Sequence, residues 1–214
     1  MGDEQRSRVL VTGGSGFIGR RLVAALLDSG AEVTVADKHE PSVPGVSAVV
    51  GDLREPSVAD QAVAPGTDAI VHLAAVTSVL RSIEDPVGTY ETNVAATAGL
   101  LELARTRGVG TFLLASTNAV VGDVGDAVIT EQQPTRPLTP YGATKAAGEM
   151  LLSCYSASYG IAGCAQLLYH QAAQSSRTAG HQNMLHTLSS RVSLYFPCLS
   201  RERLVQKTRE HGQM

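Results

Sequence analysis

The chain has little with which to cross-link itself. Its 214 residues include three cysteines, Cys154, Cys164 and Cys198. That odd, widely spaced set gives neither a disulfide framework nor a metal-ligand cluster, and a reducing, cytoplasmic setting is expected. Long hydrophobic runs are also missing. No stretch is apolar enough to span a bilayer, and the polar residues 1–8 do not read as a signal peptide. Strong charge of one sign is absent too: the net charge of −3 lacks the basic excess of a nucleic-acid-binding surface. No internal repeat is found. What remains is a globular composition, 43% hydrophobic and 17% charged, long enough for one sizeable core and marginal for two.

The first two-thirds of the chain alternates in character. Hydrophobic spacing predicts strands over 8–12, 32–36, 47–50, 69–73 and 111–115, with a further strand starting at Ile161. Helices are predicted over 17–29, 56–63, 86–107 and 141–159, with Gly30, Gly108 and Gly160 as helix stops. Strands separated by helices of this length imply right-handed crossovers and a parallel sheet, an α/β doubly wound fold of Rossmann type. The composition changes near residue 165. Residues 1–164 hold 19 of the 21 glycines and a charge balance of −7; residues 165–214 hold two glycines, a balance of +4 and four of the six histidines. The expected organisation is therefore a dinucleotide-binding domain over 1–164 and an atypical tail over 165–214. Those four histidines have no ligand spacing, and no metal site is expected.

The first strand runs into Thr12-Gly13-Gly14-Ser15-Gly16-Phe17-Ile18-Gly19. A chain that turns tightly, approaches a pyrophosphate with its backbone and then packs a helix on the strand needs glycine at Gly13, Gly16 and Gly19. The start of that helix, at Phe17 and Ile18, presents free N–H groups to the phosphates. Asp37 ends the second strand, where its carboxylate accepts the ribose hydroxyls of an adenosine and repels a 2′-phosphate. NAD is therefore expected over NADP, although the adjacent cation Lys38 weakens that preference. Tyr141 and Lys145 stand four residues apart on one helix face. A nearby ammonium is expected to lower the phenol pKa, so that the phenolate takes a substrate hydroxyl proton as hydride leaves the same carbon. Ser116 and Thr117 end the fifth strand, where a hydroxyl reaches the ligand crevice. His72 and His39 are expected to be structural.

Taken in order, these motifs resemble the NAD-dependent epimerase/dehydratase family, the extended short-chain dehydrogenases, over residues 8 to 164. The resemblance adds to Thr12–Gly19 and Asp37 an adenine clamp at Asp52-Leu53, a strand end at His72-Leu73-Ala74-Ala75 and a helical Asn93-Val94. It selects Thr117 over Ser116 as the catalytic hydroxyl, counting back five residues from Gly122, and pairs it with Tyr141 and Lys145. It implies a bound NAD, held by Gly13, Gly16, Phe17, Ile18, Gly19, Asp37, Asp52, Leu53, Leu73, Ala74, Ala75, Asn93, Tyr141 and Lys145. It also implies a nucleotide-sugar substrate and homodimeric assembly. Two departures stand out: Val121 replaces a family tyrosine, and Gln166-Leu167-Leu168-Tyr169-His170-Gln171 replaces the segment that opens the substrate lobe. Most of that lobe is expected to be missing, which leaves two functional readings, an epimerase/dehydratase-type oxidoreductase or a truncated, non-catalytic NAD-binding protein.

Overall fold

The computed structural model describes residues 6–125, 129–130 and 133–167. Six strands, β1 (Arg8–Thr12), β2 (Glu32–Asp37), β3 (Ser47–Val50), β4 (Ala69–His72), β5 (Thr111–Ser116) and β6 (Ala162–Leu167), form one sheet in the order β3-β2-β1-β4-β5-β6. Every pairing is parallel. This is the doubly wound Rossmann order, with the direction of winding reversing between β1 and β4. The last strand runs three residues past the composition shift; residues 168–214 of the expected tail lie outside the described residues.

Because the sheet is covered on both faces, its strands are nearly all apolar. Side-chain alternation divides them. Val9, Val11, Val33, Val35, Ala69, Val71 and Leu113 meet Leu22, Val23 and Leu26 of α1 (Gly19–Asp28). Leu10, Ile70, Phe112 and Leu114 face the other way, against Ala59 and Ala62 of α2 (Pro56–Ala62), Leu100, Leu101 and Ala104 of α5 (Ala96–Thr106) and Leu152 of α6 (Pro140–Tyr159). Each fully buried aliphatic side chain contributes about 2 kcal/mol. Gly30, Gly108 and Gly160 all have positive φ, and Gly160 ends α6 in the left-handed region, as expected of helix stops.

Two segments differ from expectation. A short helix, α3 (Val79–Glu84), forms where none was predicted, and the single helix predicted over 86–107 is three pieces. Ser78 caps α3 by accepting from the Arg81 N–H at 3.2 Å. Asp85 caps α4 (Pro86–Tyr90) by accepting from the Gly88 N–H at 2.9 Å. A π turn follows at Glu91–Ala95, in which the Ala96 N–H donates to the Glu91 carbonyl five residues back, and α5 then resumes. The cause is tertiary: the side chain of Asn93 is bound on both sides to the backbone of Val76, at 2.8 and 2.9 Å.

Candidate active site

The glycine turn sits at the switch point of the sheet. Gly13 has φ +70 and donates its N–H to the Ala36 carbonyl at 2.9 Å. A Cβ there would come within 2.7 Å of the Ala74 backbone nitrogen, so the turn after β1 passes too close to the chain leaving β4 for any side chain. At Gly19 a Cβ would lie 2.6 Å from Gly14 Cα and collide with the Gly13 carbonyl, which is the close approach that begins α1. Among the described residues no backbone acceptor takes the N–H of Phe17 or Ile18. Both side chains are exposed, and the Phe17 ring lies under the Arg21 guanidinium, 4.1 Å from its carbon. Unpaired N–H groups at the start of a ten-residue helix suit an anion, and the shape suits a pyrophosphate.

Asp37 and Asp52 stand beside this turn. One oxygen of Asp37 accepts from the Ser15 N–H at 3.0 Å, the other from the His39 N–H at 3.1 Å. Each oxygen keeps a second lone pair, so the carboxylate is fixed in place and still able to accept a ribose hydroxyl. Asp52 is gripped by Arg54, whose Nε and Nη2 donate to one oxygen at 2.9 and 2.7 Å while its backbone N–H donates to the other at 3.0 Å. Lys38 reaches the same carboxylate at 3.0 Å. Arg54 above all holds the Asp52 carboxyl far below the usual range. Leu53 turns in against the core, and Leu73, Ala74 and Ala75 lie half-buried past the end of β4.

His72 is structural, as expected. The Thr97 hydroxyl donates to the Asn93 carbonyl at 2.7 Å, so it must accept from His72 Nε2–H at 2.9 Å. His72 Nδ1 then accepts from the Thr12 hydroxyl at 2.6 Å, and that hydroxyl accepts from the Ala74 N–H at 3.2 Å. Burial, aided by the charge of Lys145, pushes this imidazole down to about 3, so it stays neutral. The chain of bonds goes on through Asn93, whose Nδ2 donates to the Thr144 hydroxyl at 3.1 Å; that hydroxyl donates to the Tyr141 carbonyl at 2.8 Å. Thr12 at the start of the glycine turn and Tyr141 on α6 are thereby joined by one buried polar network.

Tyr141, Lys145 and Thr117 meet at the same end of the sheet. Thr139 caps α6 by accepting from the Gly142 N–H at 3.2 Å, and the Tyr141 N–H donates to the Ser82 hydroxyl on α3 at 3.1 Å. All three side chains are buried. The expected lowering of the phenol pKa is not what the geometry gives. Burial raises the Tyr141 pKa, and a hydrogen bond with Thr117 opposes the rise. Lys145 is 5% exposed. Burial pushes it down from 10.5 to about 8, against the pull of Glu149. Ser116, the alternative hydroxyl, donates to Glu149. Glu149, Thr144, Arg54 and Ser82 were not singled out from the sequence. Glu149, four residues past Lys145, and Thr144, three past Tyr141, carried a helix-spacing signal.

The model of the NAD dependent epimerase/dehydratase family matches residues 9–194. A dTDP-glucose 4,6-dehydratase of Streptomyces niveus is 37% identical over 171 residues, 72% of this chain and 51% of that protein. A UDP-glucose 4-epimerase of Corynebacterium glutamicum is 34% identical over 161 residues, 72% of this chain and 48% of that one. The solved Thermus thermophilus UDP-glucose 4-epimerase complex with NAD is 41% identical with a TM-score of 0.70, covering 74% of this chain and 53% of that structure's chain. The chain thus spans about half the length of the relatives it matches. The sheet order, the glycine turn and a family match over most of the sequence lead to one assignment: this chain belongs to the NAD-dependent epimerase/dehydratase family.

Proposed function

We propose that the chain binds NAD along Thr12–Gly19, Asp37 and Asp52, and that Thr117, Tyr141 and Lys145 serve oxidation or reduction at a hydroxyl-bearing carbon of a nucleotide-sugar. One observation carries the reading: a glycine cradle with unpaired N–H groups and a buried Tyr/Lys/Thr cluster share one end of the sheet, joined through His72 and Asn93. When bound, the dinucleotide supplies the hydride acceptor. The protein's part is positional and protonic. Thr117 fixes the phenol oxygen, the Lys145 ammonium favours the phenolate, and the Tyr141 phenolate takes the substrate hydroxyl proton, becoming a phenol, as hydride leaves the same carbon for the dinucleotide. The sugars for which the relatives are named, UDP-glucose and dTDP-glucose, are the first to test.

A second reading is favoured by the burial that raises the Tyr141 pKa and so keeps the phenol protonated: the chain holds the dinucleotide but does not turn over a sugar. Calorimetric titration with NAD tests the shared core of both readings. Gly16→Ala and Asp37→Ala should each weaken binding about tenfold or more; unchanged affinity in both would refute the site. Turnover of either nucleotide-sugar by the 214-residue chain, abolished by Tyr141→Phe, separates the enzyme from the binding protein.

A further inference from the structure

We infer that Asp52 sets dinucleotide preference through Lys38, by holding that ammonium away from the place beside Asp37 that a 2′-phosphate would occupy. The inference rests on the dinucleotide reading above and adds a specificity-determining residue to it. Lys38 directly follows Asp37, so it is the cation best placed by sequence to meet a 2′-phosphate. In the fold it does something else. Its Nζ lies 3.0 Å from Asp52 Oδ2, an oxygen that also receives Arg54 Nε at 2.9 Å and Nη2 at 2.7 Å. Arg54 is in turn engaged by Glu91 at 3.3 Å. The Asp52 side chain is only 17% exposed, whereas Lys38 is 55% exposed. The carboxylate is thus a fixed anchor and the lysine its movable partner.

A 2′-phosphate approaching Asp37 meets two obstacles. It faces the charge of Asp37 directly, and it gains Lys38 only by drawing that ammonium off Asp52. A ribose with free hydroxyls meets neither. Asp52 therefore opposes NADP without touching the phosphate, which is specificity by withholding a partner. His39 is turned toward Asp37, its Nδ1 3.5 Å from Oδ1.

Titration calorimetry with NAD and NADP on the full chain tests this. The variants are Asp52→Asn, Lys38→Ala and the double substitution. In the Asp52→Asn variant, the ratio of NADP to NAD affinity should rise about tenfold. In the double variant the rise should disappear. Lys38→Ala alone should change the ratio less than twofold, because the lysine is already occupied. Any contact of Asp52 with the adenine affects both dinucleotides and cancels in the ratio. An unchanged ratio in Asp52→Asn, or a gain that survives in the double variant, overturns the inference. So does a large loss of NADP affinity in Lys38→Ala alone, a result independent of whether Asp52→Asn folds. Failure of the unaltered chain to bind either dinucleotide would instead overturn the proposed function.

Discussion

Lys145 should make this protein less stable near neutral pH than it would be without its charge. The ammonium sits 5% exposed, and burial moves its pKa from 10.5 to about 8. Below pH 8 the lysine is protonated in both folded and unfolded chains, and the fold bears the full desolvation cost. Between about 8 and 10.5 the unfolded chain binds the proton and the folded chain does not, so stability rises with pH. Above 10.5 both forms are neutral and the cost is gone. At roughly 1.4 kcal/mol per pH unit, the interval corresponds to about 3 kcal/mol. Lys145→Met keeps the length of the side chain and removes the charge. Urea denaturation across pH 6.5–10.5 (an assay range of roughly four units, over which the slope is resolved) should show the variant more stable by about 3 kcal/mol at pH 7. The gap should close as pH rises. A gap that does not change with pH, or a variant less stable at pH 7, would refute the reasoning.

Two further substitutions probe the scaffold of the site. Gly19→Ala brings a Cβ to 2.6 Å from Gly14 Cα, with backbone on both sides; it should cost about 3 kcal/mol, read as a lower urea midpoint, and should weaken NAD binding. Asn93→Leu leaves the N–H and carbonyl of Val76 without the partners they have at 2.8 and 2.9 Å; it should cost about 2–4 kcal/mol in the same assay, whereas Thr92→Val, on the half-buried neighbour, should cost about 1 kcal/mol.

Local chemistry was readable from the sequence wherever a residue type answers a local need. The strands over 8–12 and 47–50 were expected within the bounds they adopt, and the helix stops at Gly30, Gly108 and Gly160 all take positive φ. Helix α3 was not visible because Leu80 and Ile83, its large apolar residues, are exposed and leave no buried stripe to detect. Its signals were the caps, Ser78 before it and Asp85-Pro86 after it. In the site, the composition of the glycine turn announced its geometry. The partners of its charges did not: Lys38 could be read as free for a phosphate, and only the fold shows it against Asp52. The direction of the Tyr141 shift was missed for a similar reason. A Tyr/Lys spacing states which groups are neighbours, while burial, the larger effect here, is a property of the whole packed end of the sheet.

The π turn at Glu91–Ala95 makes chain length itself a determinant of the site. One residue beyond the α-helical count turns the segment before it by about 100° relative to the segment after it. On the far side, Leu100, Leu101 and Ala104 face the core; on the near side, Asn93 faces Val76 and Thr144. In an unbroken α-helix Asn93 would share the face of Leu100 and Ala104; the π turn sets it apart from them. Removing one residue would let the stretch relax into an unbroken helix with its apolar stripe intact, and a helix-content measurement would register nothing. Asn93 would then point elsewhere, and the polar chain from the glycine turn to Tyr141 would end at Thr97. At this position the protein is open to exchange of side chains at Glu91 or Thr92 but intolerant of a change in count, the reverse of what holds for a surface loop.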